Sequence, residues 1–161
     1  MGLPAGDEGT LLLIGLISDT HGYFDSRIRE AFAAVDHILH AGDIGSMDII
    51  RELEKLAPVT AVRGNADRAP VFALLAAHHD LCFDGCHVHL VHRFDDSKAG
   101  PEMKVLVHGH SHEPLVRSNE RYLRLNPGSA GRTYLSEQPT VGLLHIDGEK
   151  VWGEIVGLGP R

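Results

Sequence analysis

The alternation of apolar runs with amphipathic segments in the N-terminal part constrains the fold of this chain more than any other feature. Three segments are predicted to be strands: the apolar run Leu11–Ser18, the short segment His37–His40, and Val59–Arg63. Two segments with helical spacing of apolar residues separate them. Ser26 is the predicted N-cap of the first helix, which extends to about Val35, and Ser46 caps the second, which must end before Pro58. The order strand, helix, strand, helix, strand predicts parallel pairing through right-handed crossovers, and therefore an α/β fold.

Beyond Arg63 the pattern changes to short strands joined by turns. Asp84-Gly85 and Asp147-Gly148 are typical hairpin turns. The predicted strands are Asp80–Phe83, Cys86–Val91, Lys104–Val107, Pro114–Val116, Tyr122–Leu125, Val141–Ile146 and Val151–Val156. We therefore expect a layered α/β domain whose strands are parallel at first and mixed later.

Length and composition indicate one ordinary globular domain. The 161 residues contain no repeat and no linker, so residues 11–161 are predicted to form a single domain. Residues 1–10 have neither the basic flank nor the cleavage signature that is typical of a signal peptide. They are predicted to be a disordered lead-in. The longest apolar run, Leu11–Ile17, is too short to span a membrane. A cytoplasmic protein without membrane contact is expected.

The net charge of −7 comes without a basic cluster, which argues against a broad nucleic-acid-binding face. It does not exclude a phosphorylated substrate, because bound divalent cations would invert the local field.

Two cysteines, Cys82 and Cys86, flank the first predicted hairpin turn. Two are too few for a disulfide framework. The turn also sets Phe83, rather than Cys82, opposite Cys86. Both are therefore predicted to be half-buried thiols.

Residues with metal-binding side chains follow five successive predicted strands. The segments are Ser18-Asp19-Thr20-His21-Gly22, His40-Ala41-Gly42-Asp43, Arg63-Gly64-Asn65-Ala66-Asp67, His92 and His108-Gly109-His110-Ser111-His112. In an open α/β sheet, the carboxyl ends of the strands form the crevice where ligands bind. The sequence therefore predicts that aspartate, asparagine and histidine side chains meet at one edge.

These side chains suit a metal site with mixed oxygen and nitrogen ligands. Carboxylate and imidazole together bind Mn²⁺, Fe²⁺, Co²⁺, Ni²⁺ or Zn²⁺, and the absence of thiolate argues against structural zinc. Taken singly, each motif has an ordinary explanation: Asp-x-His as a capping or surface pair, Gly-Asp and Gly-Asn as turn dipeptides, and His-x-His as a solvated strand face. Five of them in order at strand ends favour the metal site.

The ordered set resembles the calcineurin-like metallophosphoesterases, in particular the small bacterial and archaeal phosphodiesterases that share the fold of the retromer subunit Vps29. The motifs that carry the resemblance are Asp19-Thr20-His21, Gly42-Asp43, Gly64-Asn65-Ala66-Asp67, His92, Gly109-His110-Ser111-His112 and Asn126-Pro127-Gly128-Ser129. The resemblance implies a four-layer αββα sandwich of two packed mixed sheets flanked by helices, with a dimetal site at the carboxyl ends of the strands. It covers nearly the whole chain, from about Leu13 to the last hairpin.

The resemblance also implies a ligand set and a reaction. Two divalent cations would be bound, most readily Mn²⁺. The ligands of one ion would be Asp19, His21, Asp43 and His112, and those of the other Asp43, Asn65, His92 and His110. Asp43 would thus bridge the two ions. A hydroxide shared by the two cations would attack a small phosphorylated substrate, a phosphodiester. Asn65 is a neutral ligand that does not repel the phosphate.

Three departures from the family pattern bear on catalysis. Ala66 stands where larger members have histidine, so good leaving groups should be favoured. Asp67 is then a candidate orienting group or a loop cap, and Arg93, where relatives have glycine, could bind phosphate or point to solvent. The segment 93–103 is too short for the helix that relatives have there, which predicts a more open site beside His92.

Two alternatives remain for the function. The same ligands would serve a phosphomonoesterase or pyrophosphatase. An alternative of a different class is a non-catalytic protein-binding scaffold of the Vps29 kind. Such a scaffold has lost a histidine of the metal set. His92, His110 and His112 are all present here, which favours the enzyme. A homo-oligomer is possible through the edges of the antiparallel strands, but no residue selects one.

Overall fold

A computed structural model of the chain describes residues 11–98, 100–132 and 138–160. The predicted lead-in, residues 1–10, lies outside them. In chain order the elements are β1 (Leu12–Ile17), α1 (Ile28–Ala31), β2 (His37–His40), α2 (Met47–Glu54), β3 (Val59–Ala61), α3 (Val71–Leu74), β4 (His78–Phe83), β5 (Cys86–Val91), β6 (Val105–Val107), β7 (Leu115–Ser118), β8 (Leu123–Asn126), β9 (Thr140–Asp147) and β10 (Lys150–Gly157), with a 3₁₀ turn at Phe94–Asp96.

The strands form two mixed five-stranded sheets. The first has the order β10-β9-β1-β2-β3 and the second the order β4-β5-β6-β8-β7. As predicted, β1, β2 and β3 pair in parallel, with Leu16 opposite Leu39. In the second sheet β5, β6 and β8 are parallel, and β4 and β7 are antiparallel edges. All the strands that precede the metal-binding motifs therefore lie in parallel pairs, which brings their carboxyl ends together.

The two sheets pack face to face through a shared apolar core. Ile14, Leu16 and Leu144 of the first sheet join Val88 and Val107 of the second in one buried cluster. Such burial is the main favourable term in folding, at about 25 cal/mol per Å² of apolar surface. The α/β sandwich of two packed sheets is thus confirmed.

The helices are few and short. A second buried cluster contains Ile28, Phe32, Ile50 and Leu53 together with Ile38 of β2. It packs the helical segments against the outer face of the first sheet. On the outer face of the second sheet the segment after β5 has only the 3₁₀ turn, as its length predicts. Phe94 of that turn contacts the His108 ring and lies under the Arg124 guanidinium.

Local structure departs from the sequence prediction in the first helix. Ser46 caps α2 by accepting a hydrogen bond from Asp48 N at 3.2 Å, as predicted. By contrast, α1 begins at Ile28 and has four residues instead of running from Ser26 to Val35. The Asp25 carboxylate accepts hydrogen bonds from both the backbone and the side chain of Arg27, so a turn centred on Asp25 replaces the Ser26 cap. The predicted helix bounds were wrong at both ends, and the turn at Asp25 accounts for the late start.

The first hairpin has the predicted register, with Phe83 opposite Cys86. Both cysteines are free thiols, Cys82 exposed and Cys86 buried, and burial raises the pKa of the Cys86 thiol. Strand β4 begins at His78, two residues before the predicted start, because His78 pairs with Val91. No helix among the described residues is long and apolar enough to cross a membrane.

Candidate metal centre

Strained backbone marks the loops that follow the strands. Six non-glycine residues of the described chain have positive φ angles, and five of them are predicted ligands: Asp19 (55°), His21 (47°), Asp43 (55°), His110 (72°) and His112 (63°). Side chains other than glycine rarely adopt this region, although Asp and His tolerate it better than most. Backbone strain of this kind clusters at functional sites, where the surrounding structure holds it in place.

The first group of ligand atoms is built from Asp19, His21 and His112. Their nearest ligand atoms all lie within 4.8 Å of one another. The oxygen Asp19 Oδ1 is 3.3 Å from His112 Nε2 and 3.9 Å from His21 Nε2. Its partner Oδ2 accepts hydrogen bonds from Ser18 Oγ at 2.6 Å and from His110 N at 3.1 Å. These bonds fix the carboxylate so that Oδ1 faces the two imidazoles.

The second group contains Asp43, His92 and His110, again within 4.8 Å. Asn65 completes it, because Asn65 Oδ1 is 2.8 Å from His92 Nε2 and 3.0 Å from His110 Nδ1. The amide oxygen therefore points into the same small space as the two ring nitrogens.

Asp43 lies between the two groups. Its Oδ2 is 3.3 Å from His92 Nε2 and 3.8 Å from His21 Nε2, while Oδ1 accepts a hydrogen bond from Ala66 N at 2.8 Å. Burial acts to raise the pKa of Asp43, but His92 and the Ala66 amide outweigh it, and the net pKa is lowered. The carboxylate is therefore ionised at neutral pH.

The carboxylates of Asp19 and Asp43 also change the pKa values of the nearby histidines. Burial acts to lower the pKa of His92, but the Asp43 and Asp19 carboxylates raise it above its ordinary value. The Asp19 carboxylate is also the main reason for the raised pKa of His112. Imidazole binds a metal only in its neutral form, so cations would displace these protons.

The donor set fits a pair of divalent cations. Within the described chain, Asp19 Oδ1 and His112 Nδ1 are the buried side-chain atoms without a hydrogen-bond partner. A buried carboxylate oxygen without a partner is costly, and a cation beside Asp19 would remove that cost. Carboxylate, amide and imidazole groups without thiolate suit Mn²⁺ and related ions.

The orientation of His92 is fixed by the backbone. His92 Nδ1 is 2.7 Å from the carbonyl oxygen of Ala41, and only an N–H can bond to that acceptor. In the neutral ring Nε2 then has the free lone pair, and it is the atom that faces Asp43 and Asn65. Such a hydrogen bond from the distal nitrogen is typical of metal-binding histidines.

Two glycines allow the loops to approach each other. A Cβ atom on Gly64 would overlap with the Asp43 backbone nitrogen and carboxylate, and one on Gly109 would overlap with Ser18 Oγ and lie 2.7 Å from Asp19 Oδ2. Neither glycine has a positive φ angle. Close approach, rather than an unusual backbone conformation, is therefore the reason for glycine at both positions.

Asp67 connects the loop after β2 to the loop after β3. This buried carboxylate accepts hydrogen bonds from Gly64 N at 2.8 Å and from Gly45 N at 3.0 Å. The two loops that contain Asn65 and Asp43 are thereby tied together. The sequence left two roles open for Asp67, an orienting group or a loop cap, and these hydrogen bonds are those of a loop cap.

A family model for the calcineurin-like phosphoesterase superfamily domain matches residues 12–149. The chain belongs to the calcineurin-like phosphoesterase superfamily. This membership makes it a phosphoesterase-type hydrolase, of a family that uses divalent metal ions.

Relatives and solved structures agree with that family. The chain is 40% identical to a probable metallophosphoesterase of Methanothermobacter thermautotrophicus, over 92% of this chain and 94% of the relative. It is 30% identical to a phosphodiesterase of Methanocaldococcus jannaschii, over 89% of this chain and 98% of the relative. The structure of vacuolar protein sorting 29 from Cryptosporidium parvum superposes with a TM-score of 0.72 at 19% identity, covering 94% and 99% of the two chains. The last likeness concerns the fold alone.

The structure also reveals supporting residues of this phosphoesterase centre to which the sequence assigned no role. Ser129 Oγ donates a hydrogen bond to the Asp19 carbonyl oxygen at 2.9 Å. Asn126 Nδ2 donates to Gly109 O and to Ser111 Oγ, at 3.2 Å and 2.9 Å. Both residues belong to the Asn-Pro-Gly-Ser segment, whose only signal in the sequence was the family resemblance.

The predicted site residue Arg93 and a third group of possible metal ligands lie outside the centre. Arg93 is exposed and lines a pocket next to His92. A third group, His78, Asp80 and His89, also has ligand atoms within 4.8 Å. There, His89 Nδ1 is 2.7 Å from Asp80 Oδ1, and His89 Nε2 accepts a hydrogen bond from Lys98 N at 3.4 Å. Both nitrogens of His89 are thus already hydrogen-bonded.

Proposed function

We propose that the chain is a metal-dependent phosphodiesterase that hydrolyses phosphodiesters of small molecules. One observation carries the proposal: Asp43 Oδ2 lies between His92 Nε2 and His21 Nε2, at 3.3 Å and 3.8 Å. A single carboxylate oxygen that faces both ligand groups is suited to bridge two ions. The phosphodiesterase of Methanocaldococcus jannaschii supports the choice of a diester.

The ligand set would be Asp19, His21, Asp43 and His112 for one ion, and Asp43, Asn65, His92 and His110 for the other. Two divalent cations, Mn²⁺ in the first place, would supply a hydroxide nucleophile at neutral pH and neutralise the charge of the phosphoryl group. Asn65 contributes an oxygen without negative charge, so it does not repel the phosphate. Asp67 acts as a positioning residue, because its carboxylate holds the backbone on either side of Asn65 and Asp43.

The leaving group receives little help from the residue after Asn65. Ala66 has only a methyl group, and its backbone N–H is already donated to Asp43. A general acid contributes about 10²- to 10⁴-fold in rate where one is present. Phosphodiesters with acidic leaving groups, such as nitrophenol, are therefore the favoured substrates.

The first experiment measures hydrolysis of bis-p-nitrophenyl phosphate by the purified chain with Mn²⁺, Ni²⁺ or Co²⁺ added. Parallel assays with p-nitrophenyl phosphate and with pyrophosphate distinguish the phosphodiesterase from the alternatives with the same ligands. Faster turnover of the diester supports the proposal. If metal analysis finds two ions per chain and none of the three compounds is hydrolysed, the proposed function fails and the binding scaffold becomes the leading alternative.

A further inference from the structure

A pocket of about 400 Å³ opens directly beside the metal centre. Asn65 and His92 line it, and both also belong to the second group of ligand atoms. This flanking pocket also includes four charged side chains, Arg63, Arg93, Asp96 and Lys98, together with Phe72 and His78. Its volume falls within the range of about 300–1,000 Å³ that is usual for small-molecule sites. Part of a substrate bound at the metal centre can therefore extend into it.

The charge of the flanking pocket is opposite to that of the whole chain. Arg63, Arg93 and Lys98 outnumber the single carboxylate of Asp96, although the net charge of the chain is −7. In the described part of the chain, no carboxylate lies within 4.0 Å of any of the three cations, whereas Arg27, Arg29, Arg51 and Lys55 all form ion pairs. The positive charges of the pocket are thus available to a ligand.

One of the cations is held in place before any ligand binds. Arg63 Nη1 donates a hydrogen bond to the Leu75 carbonyl oxygen at 3.0 Å, and its guanidinium lies 4.3 Å from the centre of the Phe72 ring. Stacking and a backbone hydrogen bond reduce the entropy lost when the side chain binds an anion. Arg93 and Lys98 are exposed and reach the pocket from the segment that follows β5.

We propose that the flanking pocket binds a second phosphate group, on the arm of the phosphodiester that lies beyond Asn65 and His92. This inference rests on the proposed function, and it narrows the substrate class to diesters that carry a further phosphate. Guanidinium groups bind phosphate oxygens through two parallel hydrogen bonds, and Lys98 adds a point charge. The half-exposed ring of Phe72, 52% accessible, offers an apolar surface to the group that links the two phosphates.

Two substrates that differ only in one phosphate test the proposal. Thymidine 5′-(p-nitrophenyl phosphate) has a single phosphodiester, and its 3′-phosphorylated form carries the second phosphate. We expect kcat/KM of the manganese-loaded chain to be at least about 10-fold higher for the 3′-phosphorylated substrate, because charged hydrogen bonds contribute that much or more. In Arg93→Gln and in Lys98→Gln this ratio should fall toward one. Arg121→Gln removes an equal charge from the exposed turn between β7 and β8 and should leave the ratio unchanged.

A binding measurement gives a second readout that does not depend on turnover. Calorimetry compares thymidine 3′,5′-bisphosphate with thymidine 5′-phosphate on the manganese-loaded chain, and we expect a Kd at least about 10-fold lower for the bisphosphate. That difference should also shrink in Arg93→Gln but not in Arg121→Gln.

The outcomes separate the two proposals. Equal hydrolysis of both substrates by the wild type would overturn the assignment of the pocket and leave the phosphodiesterase intact. A preference that survives in both pocket variants would also overturn it, since the second phosphate would then bind elsewhere. If neither substrate is hydrolysed, the proposed function fails, and calorimetry alone decides whether the pocket prefers the bisphosphate.

Discussion

His40 Nε2 lies 3.0 Å from the hydroxyl oxygen of Thr20, and this contact joins the loop after β1 to the last residue of β2. The Thr20 hydroxyl donates its own proton to the Ile44 carbonyl oxygen, so it accepts a hydrogen bond from His40 Nε2. On the other side of the ring, Nδ1 accepts a hydrogen bond from Gly42 N at 3.1 Å. Only the neutral tautomer with a proton on Nε2 satisfies both contacts.

This geometry predicts that burial of neutral His40 costs the metal-free chain stability in acid. His40 is fully buried, and burial lowers its pKa to about 3, against about 6.5 in an unfolded chain. Below pH 6.5 the unfolded chain takes up a proton that the folded chain does not, so the contribution of His40 to stability declines as the pH falls from about 6.5 toward 3. At pH 5 the loss is roughly 2 kcal/mol.

Urea denaturation at pH 7.5 and pH 5.0 measures this loss. His40→Gln removes the titrating group, so the variant should lose about 2 kcal/mol less than the wild type between the two pH values, whatever its stability at pH 7.5. If the free energy of unfolding falls by the same amount in both proteins between pH 7.5 and pH 5.0, the loss does not come from His40.

Asp43→Ala should abolish catalysis and reduce the metal content. The carboxylate that faces both ligand groups is lost, and we expect kcat/KM for bis-p-nitrophenyl phosphate to fall by at least about 100-fold. Bound metal, measured by elemental analysis, should fall from two ions per chain to one or none. Asp84→Ala is the matched control, because Asp84 also has a positive φ angle, 50° against 55° for Asp43, but lies in a hairpin turn. An Asp43→Ala variant with wild-type activity would refute the bridging role.

The strand ends and the residues that follow them could be predicted from the sequence, because both depend on local patterns. The predicted strands end one to three residues before Asp19, Asp43 and Asn65. Parallel pairing then brings the side chains of these residues to one edge. The same argument located His92, although no motif surrounds it. In the structure, His92 faces Asp43 and Asn65.

The contacts that support these residues could not be predicted, because they join distant segments. Ser129 reaches the Asp19 carbonyl across 110 positions of the chain. The early turn at Asp25 was missed for another reason: Ser26 is as good a cap as Asp25 in sequence terms, and the Arg27 side chain decides between them by bonding to Asp25. The flanking pocket likewise depends on residues from distant segments, because Arg63 follows β3 and Arg93 follows β5.

Asp67→Ala should weaken both the fold and the metal centre. The substitution leaves Gly64 N, a buried donor, without its acceptor, which costs about 1–3 kcal/mol. Gly45 N loses its acceptor as well, but Gly45 is exposed, so its N–H can bond to water instead. Metal affinity should fall by about 10- to 100-fold, as it does when a group that orients ligands is removed. Asp67→Asn retains one acceptor oxygen and should give intermediate values. Glu149→Ala, in the exposed turn between β9 and β10, is the control; an Asp67→Ala chain with unchanged stability and metal affinity would exclude the positioning role.

Gly64→Ala tests whether close approach at the loop after β3 is needed for the metal centre. The added methyl group would overlap with the backbone nitrogen and carboxylate of Asp43, so Asp43 must move away from His21 and His92. Overpacking of this kind costs about 1–3 kcal/mol in stability, and the displaced carboxylate should lower both metal content and the rate of diester hydrolysis. Gly100→Ala makes the same change where the nearest atom, Glu102 Oε2, is 3.6 Å away, and it should leave all three quantities unchanged. Because Gly64 does not have a positive φ angle, backbone strain cannot account for a difference between the two variants. Two tightly bound ions in Gly64→Ala would show that the loops can separate without loss of the centre, and the contact between Gly64 and Asp43 would then have no part in holding it together.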